Sequence, residues 1–209
     1  MNMFRGLREV LRPKDTEPFR ETPHADPRWL DLADGKYKCA CCGLDAREFL
    51  SLSYIAPAPF PHDNDQIDLA PLANDIFDTV DGDILTDDFC RVDTHHFVRT
   101  VIVFPLDGVE GCMMIGVWVS LETEDFARYH ATMDRGQQSQ LDLMFGWLAN
   151  PVGEYDRPVA VLLHPQDSFQ RPWLQIAHEE HPLAIAQIDG LTFDQMMNFI
   201  QAHGHSFTN

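Results

Sequence analysis

Five cysteines and ten histidines hold most of the side chains in this chain that could do chemistry. The stretch YKCACCG at residues 37–43 places Cys39 and Cys42 before Gly43, a C-x-x-C-G knuckle. Two thiolates at this spacing reach one tetrahedral metal, and the glycine lets backbone N–H groups turn toward sulfur. One knuckle is half of a structural zinc site, and a second C-x-x-C is absent. The missing ligands would come from Cys90 with His95 or His96, or from Cys41. The set expected to hold a structural zinc is therefore Cys39, Cys42, Cys90 and His95. The competing expectation is a plain turn, with the cysteines as inert, buried, small apolar side chains.

Other groupings carry weaker chemistry. A redox dithiol in Cys39-Ala40-Cys41-Cys42 would need a helix opening after a strand, and Gly43-Leu44-Asp45 does not read that way. Cys90 with His95 or His96 could pair a nucleophile with a base, but no oxyanion signature accompanies them. Arg99 stands between Val98 and Thr100 in an apolar strand. Such a charge either reaches water or pairs with a carboxylate, and the acidic surroundings favour pairing. His178, Glu179, Glu180 and His181 run H-E-E-H, not the H-E-x-x-H of a metal-binding helix. Pro182 bars a helix from continuing through them, so they read as a strand exit.

The elements that must position these groups centre on residues 96–121. Residues 97–105 are rich in Val, Ile and Phe, which suit a pleated, half-buried surface. Pro105 ends that strand, and Asp107-Gly108 makes a turn. Residues 112–121 form the second strand, with Met113, Ile115, Val117 and Val119 on a wholly apolar face that must be core. Short strands are expected at 49–55, 158–164 and 173–177. Thr123 reads as a helix N-cap followed by Glu124 and Asp125. Phe145, Trp147 and Leu148 are expected to pack on the sheet. The clearest helix spans 191–203, with Thr192 and Gln195 as a capping box and Gly204 at its C-terminal end. Residues 4–11 read as a short amphipathic helix. A helix opening at Asp26-Pro27 would carry Trp29, Leu30 and Leu32 and stop at Gly35. Broken helix, not sheet, is expected over the acidic stretch 63–88.

The whole is read as a single α+β domain over residues 35–209. Its central, mainly antiparallel sheet would have helices packed on one face, and residues 1–34 would be a partly flexible extension. A length of 209 residues with 44% hydrophobic content is enough for one substantial core. The formal charge of −18 argues against nucleic acid as a partner and for a basic protein. No apolar run reaches the length of a membrane span, and the first residues lack the apolar core of a secretory signal. A cytoplasmic protein with reduced thiols is the expectation.

The blocks YKCACCG, LTDDFCRVDTHHFVRT, GVWVSL, FGWLAN and HPLAIAQIDGLT occur in this order between residues 37 and 204. In this the chain resembles an uncharacterised bacterial family, the domain of unknown function 2199. The resemblance implies a small cytosolic bacterial α+β domain and supplies no catalytic residue. Function is thus read in two ways. The first is an acidic binding or interaction module, of the kind that immunity proteins exemplify. The second is a structural-zinc domain with a small-molecule or enzymatic role. Neither reading fixes an enzymatic activity.

Overall fold

The computed structural model describes residues 26–61, 82–133, 135–156, 158–167 and 170–207. The expected helix at 4–11 and residues 63–81 of the acidic stretch 63–88 lie outside these residues. The chain forms two compact units, each built from discontinuous segments. One comprises residues 1–52, 103–114 and 185–209; the other comprises 53–102 and 115–184.

The second unit is built on β-structure. Its strands are β2 (Ile84–Leu85), β3 (Phe89–Val92), β4 (His95–Pro105), β5 (Cys112–Leu121), β6 (Met144–Leu148), β7 (Ala160–His164) and β8 (Trp173–Ile176), with β4 and β5 running on into the first unit. Neighbours run β5-β6-β7-β8-β4, and β4 pairs with β5 again, so five strands close on themselves. Beyond β4 the sheet extends through β3 to β2. An odd-numbered meander leaves its first and last strands pointing the same way. That is why the closing pair, Val101 with Trp173 and Ile102 with Leu174, is parallel while the other registers are antiparallel.

Closure corrects the expectation of a sheet with helices on one face. A barrel has an inside that side chains from every strand must fill. Ile115, Val117 and Val119 of β5, Val98 and Ile102 of β4, and Val161 and Leu163 of β7 are all buried. Residue alternation revealed an apolar face but not that the sheet wraps around it. Broken helix without sheet, expected over 63–88, is corrected at the described end of that stretch, which contains β2, paired through Leu85 with Cys90.

A second layer covers the outside of this sheet. Trp118 is fully buried with Leu85, Cys90 and Phe97, under Tyr54, Ala56 and Phe60. On the opposite face of β3 and β4, the face of Val98 and not of Trp118, helix α2 (Thr123–Met133) buries Phe126, Tyr129 and Met133, and Phe126 meets Phe89 edge-on at 5.7 Å. The helix takes in Thr123 itself, one residue earlier than an N-cap at Thr123 would allow. FGWLAN is strand β6 followed by a turn, so only Met144, Gly146 and Leu148 face inward. Phe145 and Trp147, each 47% exposed, stand outside the barrel, contrary to the expected packing.

The first unit contains α1 (Arg28–Ala33), the knuckle, a 3-10 turn (Ala46–Phe49), most of β1 (Ser51–Ser53), the hairpin end and α4 (Phe193–Ala202). Helix α3 (Pro182–Asp189) follows the H-E-E-H turn, with Pro182 starting the helix as a first-position proline can. The capping box of Thr192 and Gln195 is present, and α4 buries Phe193, Met196, Phe199 and Ile200. Trp29 meets Phe193 edge-on at 5.0 Å, and Phe104 meets Phe199 at 5.4 Å. Gly190, at φ +95°, lies against the backbone of Leu106 and Asp107, where a side chain would collide. That close approach lets Asp107 donate to the Leu191 carbonyl and Leu191 to that of Pro105.

Candidate metal centre

The knuckle is a tight loop closed by its own backbone. Cys39 donates to the Leu44 carbonyl at 2.8 Å, and Gly43 donates back to the Cys39 carbonyl at 2.8 Å. Gly43 sits at φ +75°, in the left-handed region where a Cβ is costly. Asp45 then starts the 3-10 turn, its carboxylate accepting from the Arg47 N–H at 2.9 Å. Its side chain is 6% exposed and is paired with Lys38 at 3.0 Å and Arg47 at 2.9 Å. These contacts hold the Asp45 carboxyl well below the usual range, with the Arg47 hydrogen bond the largest cause.

The end of the chain returns to this loop. Past α4, Gly204 at φ +86° ends the helix and redirects the backbone. Cys39 and Phe207 form an isolated antiparallel bridge, and Ala40 donates to the Ser206 carbonyl at 2.7 Å. The His205 ring lies 4.0 Å from that of Phe49, centroid to centroid. This contact fixes the imidazole over the knuckle.

Cys39, Cys41, Cys42 and His205 thereby bring one ligand atom each within 4.8 Å of one another and could hold a metal ion. His205 Nδ1 is 3.7 Å from the sulfurs of both Cys39 and Cys41. A tetrahedral zinc with Zn–S of about 2.3 Å and Zn–N of about 2.0–2.1 Å separates S from N by roughly 3.6 Å. The two sulfurs are 3.0 Å apart, so a shared ion would spread them slightly. Burial acts to raise the Cys39 thiol. Hydrogen bonds from the Cys41 thiol and from the N–H groups of Cys41, Cys42 and Ser206 outweigh it and hold Cys39 down at about 5. The Cys41 thiol is raised, first by its hydrogen bond with Cys39. Cys39 thus favours the thiolate, the donor form for a soft metal, while Cys41 in the same group disfavours it.

Of the expected ligands, Cys39 and Cys42 belong to this group, and Cys90 and His95 do not. Cys90 lies in β3 of the other unit, buried among Leu85, Phe97 and Trp118. Burial there pushes its thiol up to about 12, the behaviour of a small apolar residue. His95 is exposed at the start of β4, and the neighbouring His96 stacks on Phe126 at 4.6 Å. Sequence spacing could have supplied Cys41 but not His205, which is 166 residues from Cys39. His178 and His181 lie in a turn, where the His181 Nδ1 accepts from the Leu183 N–H. Arg99 forms no ion pair among the described residues, against the expected carboxylate partner; it donates to the Ser53 hydroxyl and the Asp87 carbonyl.

A family model described as an uncharacterised protein conserved in bacteria, DUF2199, matches residues 38–191. No curated protein and no solved structure matches the chain. No helix among the described residues is long and apolar enough to cross a membrane.

Proposed function

The chain belongs to the DUF2199 family of uncharacterised bacterial proteins, and from its side chains we propose a zinc-clasped domain. The observation that carries this is the convergence of Cys39, Cys41, Cys42 and His205. Three thiols and one imidazole make a closed Cys3His set with no position left for substrate, as in structural and not catalytic zinc. The chain's own contribution is to present the thiolates on a glycine-bounded loop and to hold the imidazole against Phe49. A bound ion would add its binding free energy to folding. It would tie the segment after α4 to the loop after α1. Elemental analysis of full-length protein purified without added metal tests the reading. One zinc per chain, lost in Cys41→Ser, supports it; protein lacking metal even after refolding with excess zinc overturns it.

The domain so clasped is proposed to serve as a binding module for a basic protein in the cytoplasm. The charge of −18 would draw such a partner, and the exposed Leu143, Phe145 and Trp147 offer apolar contact. Capture at low salt that is lost at high salt supports this part. Capture that is indifferent to salt opposes it.

A further inference from the structure

Arg99 is a half-buried cation with no carboxylate in ion-pair reach among the described residues, in a chain that has 33 acidic side chains to 15 of Lys and Arg. Its guanidinium carbon lies 5.8 Å from the centroid of the Trp118 ring. One Nη donates to Ser53 Oγ at 2.7 Å and the other to the Asp87 carbonyl at 3.3 Å. The Nε is buried and has no hydrogen-bond partner among the described residues. Arg171 reaches the same Asp87 carbonyl at 3.4 Å, so two guanidinium groups converge on one oxygen. The carboxylate that pairs with Arg171 is Asp88, 2.7 Å from its Nε. Two like charges thus sit side by side with one counter-charge in ion-pair contact. Burial first, and the charge of Arg171 next, work against the charged form of Arg99, and they outweigh the favourable charges of Asp88 and Asp87.

Such an arrangement is costly unless something offsets it. The surroundings do not read as accidental. Gly116 of β5 faces Ser53, and a Cβ there would collide with the Ser53 oxygen. Glycine inside a strand marks a close approach, here one that lets the hydroxyl meet Arg99. Ser53, itself exposed, accepts from Arg99, so the donor left over at this point is the buried Nε of Arg99.

We propose that Arg99, Arg171 and Ser53 form a binding site for a small oxyanion, a carboxylate or phosphoryl group that bridges the two guanidinium groups. Planar guanidinium forks match the paired oxygens of such groups. The Trp118 ring and the Asp87 carbonyl hold Arg99 in place before the anion arrives. Arg171, with its side chain 36% exposed, is the edge from which an anion enters. The site is independent of the metal reading, since none of its residues belongs to the cysteine group.

The test uses full-length protein, titrated with inorganic phosphate and separately with acetate, each against chloride at equal ionic strength. The readouts are the thermal midpoint and the Nε–H nuclear magnetic resonance signal of Arg99. A saturable response to either anion, absent with chloride, supports the proposal, and the tighter of the two names the oxyanion type. Affinity should fall at least about tenfold in Arg99→Gln, consistent with loss of a charge-assisted pair. Arg99→Lys should recover only part of it, because a point charge replaces the fork. If Arg99→Gln fails to fold, Arg171→Gln gives the same comparison from the exposed side. No response beyond chloride, or equal responses in wild type and variants, overturns the proposal.

Discussion

Cys39 Sγ and His205 Nδ1 lie 3.7 Å apart although 166 residues separate them in the chain. The contact closes a loop of nearly the whole described length, with the Cys39–Phe207 bridge beside it. His205→Ala is therefore expected to weaken zinc binding by more than the roughly 10–100-fold typical of losing a supporting hydrogen bond. The measurement is competition with a chromogenic chelator. Cys90→Ala serves as the internal contrast, since Cys90 is packed with Trp118 in the other unit. Its zinc affinity should match wild type, whereas equal losses in the two variants would mean the ligand set is wrong.

Asp45 predicts a pH dependence next to the same loop. Its carboxyl is depressed by Arg47 first and by Lys38 further, so the folded state prefers it ionised. A depressed carboxyl contributes stability that is fully present above its unfolded value, near 3.8, and is lost as pH falls below that. Asp45→Asn keeps the shape, loses the charge, and should cost about 1–3 kcal/mol at neutral pH through the cap and the ion pairs. The variant should also unfold with a flatter acid limb. Urea melts at pH 7 and pH 3 check this, and parallel losses in both proteins would contradict it.

The hairpin of β4 and β5 was legible from residue type alone. Strand alternation, Pro105 and Asp107-Gly108 each dictate one feature, and Gly108 does take φ +78°. Barrel closure was not legible. Pairing of β4 with β8 joins segments about 70 residues apart, and both present ordinary apolar residues. The outward side of Phe145 and Trp147 was not legible for a related reason. Aromatic residues at alternate positions mark one face of a strand without saying which face looks inward. Half of the metal site was visible as Cys39 and Cys42. The imidazole was not, because the C-terminal segment reaches the knuckle only through the fold.

Asn150 is the polar centre of the layer outside the barrel, and it gives a third test. Its Oδ1 accepts from the Trp118 N–H at 2.8 Å, and its Nδ2 donates to the Ala56 carbonyl at 2.9 Å. Trp118 itself is fully buried, with its indole N–H donating to the Tyr54 carbonyl at 3.2 Å. Asn150→Ala leaves two backbone groups without partners and should destabilise by about 2–4 kcal/mol. Trp118→Ala adds a cavity and should cost on the order of 3–5 kcal/mol. A thermal midpoint unchanged in both would show that this layer does not support the barrel.

Phe145 and Trp147 separate a structural role from a binding one. They pack on each other edge-to-face at 5.5 Å, yet each leaves 47% of its surface open on the outer side of β6. Their inward neighbours Met144 and Leu148 carry the core contacts, so Phe145→Ser with Trp147→Ser should change stability by no more than about 1 kcal/mol. The cost of exposure is borne by the free protein, and a partner that covers both rings would regain it. Loss of salt-sensitive capture of a basic partner by the double variant, with its thermal midpoint retained, is the expected outcome. A large drop in stability would instead show that the two rings brace the barrel wall. Undiminished capture would move the interaction surface elsewhere.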